Sequence, residues 1–109
     1  MAFRQVPPNY NACLSNVRAA LQTLATEIAL ARQQTKGGSF QATKWGQVLD
    51  YLRTSALITQ ADEDLVGSVY TFISPGAHTP VGLSQEEMVR LGRGMAVSTC
   101  YFLAKLHNG

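Results

Sequence analysis

Apolar residues recur at steps of three and four along most of this chain, and this spacing constrains the fold more than any other feature. Such spacing places side chains along one side of an α-helix, whereas no segment alternates as a β-strand would. In the first third of the chain, the pattern comprises Leu14, Val17, Leu21, Leu24, Ile28 and Ala31. Near the end, it comprises Met88, Leu91, Met95, Thr99, Phe102 and Leu106, and Gly92, Ala96 and Leu103 widen this second stripe. Leu24 and Leu91 lie centrally on these stripes and are predicted core residues.

Start and stop signals divide the chain into four helices. The predicted ranges are about 10–35, about 40–53, a third helix after Thr59 and a fourth that reaches about residue 107. Thr59 with Asp62, and Ser84 with Glu87, have the spacing of capping boxes. We therefore predict an all-α fold, a compact bundle of four main helices, two long and two short, with antiparallel neighbours.

Length and composition indicate one helical domain over residues 1–109, either by itself or as a fragment or C-terminal module of a larger protein. The chain has 109 residues, of which 46% are hydrophobic and 15% are charged, below the usual quarter. A lightly charged surface suggests that a partner, or the rest of a longer protein, covers part of it. The net charge of +2 is too small to indicate nucleic-acid binding by itself. Because no signal peptide or membrane span is recognisable, we expect a soluble, cytoplasmic domain with no membrane contact.

The two cysteines, Cys13 and Cys100, match no zinc or redox motif. We interpret them as small buried hydrophobic residues, and we favour this over a disulfide between the first and last helices. No metal site and no cofactor is predicted.

The connection before the fourth helix carries the most unusual residues. It contains His78 among prolines and glycines, and the fourth helix then carries Arg90 and Arg93. Together these three residues form a candidate polar site that suits an anion or an RNA backbone. The alternative, which we favour, is structural: Glu86 pairs with Arg90, and His78 holds the connection through backbone hydrogen bonds. No catalytic pairing is recognisable, so the sequence favours a non-enzyme without deciding the question.

A second set of residues on the fourth helix points away from its main stripe. This candidate interface comprises Val89, Val97, Cys100 and Tyr101. Two explanations remain open for an apolar outer side. Either the other helices wrap around the fourth helix, or a second copy or another domain covers it.

The last forty or so residues carry a resemblance to a known group of proteins. The pattern Phe72-x-Ser74-x-x-Ala77-His78-Thr79, followed by Met88-Val89-Arg90-Leu91, is similar to C-terminal helical regions of bacterial phage-defence and abortive-infection proteins of the HEPN-like group. Active members resemble ribonucleases with an arginine followed by a histidine four to six residues later. No histidine follows Arg53, Arg90 or Arg93 at that distance, so the resemblance implies a helical fold and a tendency to dimerise or to serve as an accessory module, but no nuclease activity.

The expected function is therefore a non-enzymatic protein-interaction or oligomerisation module of a bacterial defence or regulatory system. We expect a protein partner or a homo-oligomer. The alternative is an RNA-acting, HEPN-like protein that uses His78, Arg90 and Arg93, and a steep salt dependence of RNA binding would favour it.

Overall fold

Four α-helices make up the computed structural model, which describes residues 10–74 and 82–109. Helix α1 spans Tyr10–Lys36, α2 spans Trp45–Thr54, α3 spans Gln60–Phe72 and α4 spans Gln85–Asn108. No β-strand occurs in these two ranges. The predicted all-α bundle of two long and two short helices is confirmed.

The two predicted capping boxes are both present. The Thr59 side chain accepts from the backbone N–H of Asp62 at 3.1 Å, and the Asp62 carboxylate accepts from the backbone N–H of Thr59 at 3.1 Å. Ser84 and Glu87 make the equivalent pair at the start of α4, at 3.1 and 2.8 Å. The hydrogen bond from the Ser84 backbone lowers the pKa of Glu87 below its usual value, because it stabilises the ionised carboxylate. These bonds satisfy backbone groups that a helix start leaves unpaired.

Helix α2 begins later than predicted. Its first residue is Trp45, preceded by Lys44, whose side chain makes no capping bond, so the prediction of a start near residue 40 is wrong. The Phe40 ring instead stacks on Tyr51, with ring centroids 4.7 Å apart. The backbone N–H of Gln41 donates to the Gln47 side chain at 2.8 Å. These contacts hold the preceding segment as a turn packed on α2.

Contacts at its two ends show that α2 runs in the same direction as α1. Near its start, Trp45 stacks on Tyr70, and the Tyr70 hydroxyl donates to Gln22 of α1 at 3.2 Å. Just past its end, Ser55 accepts a hydrogen bond from Arg32 of α1 at 2.9 Å. The expectation of antiparallel neighbours is therefore wrong for α1 and α2, whereas α3 runs opposite to α2.

Helices α1 and α4 form the most extensive helix–helix contact in the bundle. Small residues are buried on both helices, Ala25 and Ala29 on α1 and Ala96 on α4. A Cβ atom placed on Gly92 would lie 2.9 Å from a methyl of Leu14 and 3.1 Å from a methyl of Ile73. The starts of α1 and α4 therefore lie together, next to the end of α3.

The buried side of α4 is rotated from the centre of the predicted stripe towards the residues predicted to widen it. Leu91 is 45% exposed and Leu106 is also exposed, whereas Gly92, Ala96 and Leu103 are buried. Leu91 is therefore not a core residue, contrary to the prediction. Leu24 of α1 is half-buried against the core.

Smaller corrections apply to the predicted stripe of α1 and to Leu65, which the sequence predicts on the apolar side of the third helix. Ala31 is exposed, as is Leu65, at 55%. The core instead draws on all four helices, and its fully buried large side chains are Leu21, Val48, Leu52, Val66, Ile73 and Leu103.

Candidate functional site

The predicted polar site is only partly within the described residues. His78 lies outside them, so its proposed role stays a prediction. Arg90 and Arg93 are both exposed on α4. An Arg90 guanidinium nitrogen lies 3.1 Å from a Glu86 carboxylate oxygen, one helical turn earlier. This is the local pairing expected from the sequence, and it neutralises part of the positive charge at this position.

Val97 and Tyr101 form the most exposed apolar surface of α4. They are 62% and 68% exposed and lie one turn apart in the middle and second half of the helix. Arg93 lies one turn before Val97, and Lys105 lies one turn after Tyr101. We refer to the exposed side formed by Arg90, Arg93, Gly94, Val97, Tyr101 and Lys105 as the outer face.

The other two residues of the candidate interface lie at the edge of this face. Val89 and Cys100 are half-buried and pack against the core. Burial raises the pKa of the Cys100 thiol, which makes its reactive thiolate less populated. The structure thus places Val97 and Tyr101 on the outer face and leaves Val89 and Cys100 at its boundary.

Both cysteines are free thiols. Cys100 is half-buried, in partial agreement with its predicted role as a small hydrophobic residue. Cys13 is exposed, so the prediction that it is buried is wrong.

The charges along α4 are strongly asymmetric. Glu86 and Glu87 occupy its first turn, whereas Lys105 and His107 occupy its last turn. Beyond Glu87 the sequence contains no further aspartate or glutamate. This distribution complements the helix dipole and places opposite charges at the two ends of α4.

A polar cluster between α1, α2 and α3 was not predicted. An Arg18 guanidinium nitrogen donates to the Tyr70 hydroxyl at 3.2 Å, and the guanidinium lies over the Tyr70 ring, 5.5 Å from its centroid. Trp45, the only tryptophan of the chain and a core residue by its place in the apolar spacing of the second helix, is half-buried and stacks on the same ring at 4.2 Å. Arg18 and Tyr70 are 52 positions apart, and no local sequence pattern signals such a contact.

An open cleft of about 470 Å³ lies where α1 and α2 end. Two of its hydroxyl groups have partners within the chain. The Tyr51 hydroxyl donates to the Gly37 carbonyl oxygen at 2.5 Å, and the Thr54 hydroxyl donates to the Tyr51 carbonyl oxygen at 3.3 Å. Both hydroxyl groups therefore serve the local structure.

No grouping of three or more histidine, cysteine, aspartate or glutamate side chains suited to a metal ion occurs in residues 10–74 and 82–109. In the same ranges, no helix combines the length and apolar character needed to cross a bilayer. Comparison of the chain with protein-family models, curated proteins and solved structures gave no significant match.

Proposed function

We propose that this protein is a non-enzymatic helical module that binds another protein chain through the outer face of α4. The observation that carries the proposal is the exposure of Val97 and Tyr101, 62% and 68%, side by side on a long helix. The apolar surface of these two side chains is in contact with water. Covering it with a partner chain is therefore favourable in free energy.

The residue types around this pair also suit a protein interface. Tyrosine and arginine are enriched at the centres of interfaces, where they contribute much of the binding energy. Here Tyr101 follows Arg93 by two helical turns, with Val97 between them. Single exposed apolar residues are common on any protein, but a tyrosine and a valine in adjacent turns, flanked by cations, form one continuous contact surface.

The setting that we propose is a bacterial defence or regulatory system, as the resemblance of the last forty or so residues to HEPN-like helical regions implies. An accessory or dimerising role in such a system fits an outer face without catalytic residues. The RNA-acting alternative would rest on Arg90, Arg93 and His78. The Glu86–Arg90 ion pair speaks against it, because a carboxylate beside the arginine repels a phosphate backbone.

The proposal predicts that Val97→Glu weakens association of the chain by about tenfold or more, because it places a charge at the centre of the interface. The helix content should not change, since the side chain is 62% exposed. Sedimentation velocity over a concentration series measures the first effect, and far-ultraviolet circular dichroism measures the second.

Leu65→Glu is the matched control, since Leu65 is a comparably exposed apolar residue, at 55%, on a different helix. It should leave association unchanged. Equal behaviour of the two variants would argue against the outer face as a binding surface. RNA binding that falls steeply with salt and is lost in Arg90→Ala and Arg93→Ala would instead support the RNA-acting alternative.

A further inference from the structure

We propose that the cleft at the ends of α1 and α2 binds a small phosphorylated polyol, a molecule that carries hydroxyl groups and one phosphate monoester. This site goes beyond the proposed function, since no residue of the outer face lines the cleft. The cleft volume of about 470 Å³ lies within the range of small-molecule sites. It is larger than a phosphate group alone would fill.

One wall of the cleft carries positive charge and free hydrogen-bond donors. It is formed by the end of α1 and the residues that follow, Lys36, Gly37, Gly38 and Ser39. Within the described part of the chain, the Lys36 ammonium group and the Ser39 hydroxyl make no hydrogen bond or ion pair. An ammonium group and a hydroxyl that are free to donate can both bind phosphate oxygens.

The backbone of the same wall adds two more donors. The N–H groups of Gly38 and Ser39 have no partner among the described residues, whereas the Gly37 N–H donates to the Gln33 carbonyl oxygen at 3.0 Å. Gly37 and Gly38 have positive φ angles of 75° and 86°. Without a Cβ, glycine lets an anion come close to the backbone. Several separate donors match the oxygens of a phosphate, whereas a planar carboxylate suits the fork of an arginine.

The opposite wall, formed by the end of α2 and the turn after it, does not repel an anion. The carbonyl groups at a helix end carry partial negative charge, but here they accept hydrogen bonds from the chain. The Ala56 N–H donates to the Arg53 carbonyl oxygen at 3.0 Å. Arg32 donates to the Ser55 carbonyl oxygen, and to the Ser55 hydroxyl at 2.9 Å, which fixes a positive charge behind this wall. Among the described residues, no acidic side chain lines the cleft.

The hydroxyl groups of Tyr51 and Thr54 favour a polyol as the rest of the ligand. Both donate their protons to backbone carbonyl oxygens, so their own oxygens are left as acceptors. Ligand hydroxyl groups can donate to these oxygens. The cleft therefore offers donors for a phosphate on one wall and acceptors for hydroxyl groups on the other.

Amide proton–nitrogen NMR titration of the full chain tests this site. The probes are glycerol 3-phosphate and inorganic phosphate, with sodium chloride at matched ionic strength as the control for screening. Glycerol 3-phosphate should give saturable shifts centred on Lys36, Gly38 and Ser39. It should bind more tightly than inorganic phosphate, because its hydroxyl groups reach the opposite wall. Chloride should not reproduce these shifts.

Two variants remove single donors from the site. Lys36→Gln should weaken the binding of glycerol 3-phosphate about tenfold or more, since it removes the only cation that lines the described cleft. Ser39→Ala should weaken it about threefold, because a neutral donor contributes less. Lys105→Gln is the matched control, with the same change of charge at an exposed lysine on α4, and it should leave binding unchanged.

Saturable shifts at the cleft that Lys36→Gln weakens and Lys105→Gln does not would support the site. Shifts that fail to saturate, or that chloride reproduces, would overturn it. Equal losses in the two lysine variants would overturn it as well, because they would report overall charge. Binding of inorganic phosphate as tight as that of glycerol 3-phosphate would rule out the polyol. A failure here leaves the proposed function intact, because that function is tested by Val97→Glu on a different surface.

Discussion

Replacing Leu21 by alanine is expected to lower the free energy of unfolding by about 2–5 kcal/mol. Leu21 is fully buried in the core that all four helices share. Its removal leaves a cavity that helices packed on several sides can only partly fill, so the lost contacts add to the lost burial of apolar surface. Chemical denaturation followed by circular dichroism measures the change.

Leu91→Ala is the matched control for this core substitution. The chemical change is the same, but Leu91 is 45% exposed, so the expected loss is below about 1 kcal/mol. Equal losses at the two sites would mean that α4 packs with the side predicted by its apolar spacing, and that the described rotation is wrong.

Gly92→Val should cost about 2 kcal/mol or more, because the contact between α1, α3 and α4 has no space for a side chain. Its Cβ would lie 2.9 Å from a Leu14 methyl and 3.1 Å from an Ile73 methyl. Either the two buried side chains must move or the helices must separate. Thermal and urea unfolding of the variant measure this loss.

Gly94→Ala is the control on the same helix, and we expect it to raise stability rather than lower it. No atom lies within 4 Å of a Cβ placed on Gly94, so only the intrinsic helix propensity changes. Alanine is favoured over glycine in a helix by about 0.5–1 kcal/mol, so this variant should be more stable than the parent. If both substitutions raised the free energy of unfolding, the close packing at Gly92 would be contradicted.

Sequence signals that act over a few residues predicted most of the helix boundaries correctly. The Thr59 and Ser84 capping boxes and the pair Gly37-Gly38, which favours the end of a helix, depend on neighbours in the chain, and the structure has each of these boundaries. Gly37 adopts a positive φ of 75°, which glycine tolerates without strain. The start of α2 was missed because Phe40 packs on Tyr51, eleven positions later, and this contact replaces a helical turn.

Apolar spacing predicted the orientation of α4 only in part. Its contact with the rest of the bundle buries Gly92, Ala96 and Thr99, whose side chains are small, and leaves the larger Leu91 exposed. Close packing favours small residues where backbones approach, so the largest apolar side chains do not mark the centre of that contact.

The candidate interface on α4 was predicted only in part, because the orientation of α4 decides which of its residues are exposed. Val97 and Tyr101 lie opposite the buried side on any helical arrangement of these residues, and they are exposed. Val89 and Cys100 are one step closer to the core, and the rotation of α4 places them at the boundary. The contact of Arg18 with Tyr70 depends on how three helices meet, and no periodicity within one helix encodes it.

The most direct test of the central claim is a concentration series of amide proton–nitrogen NMR spectra of the unchanged chain. The account predicts concentration-dependent shifts that cluster on the outer face, centred on Arg93, Val97 and Tyr101, with Leu65 unaffected. Shifts that are absent up to the solubility limit would contradict self-association, and shifts that centre on α3 or on the cleft at the ends of α1 and α2 would contradict a binding surface formed by α4.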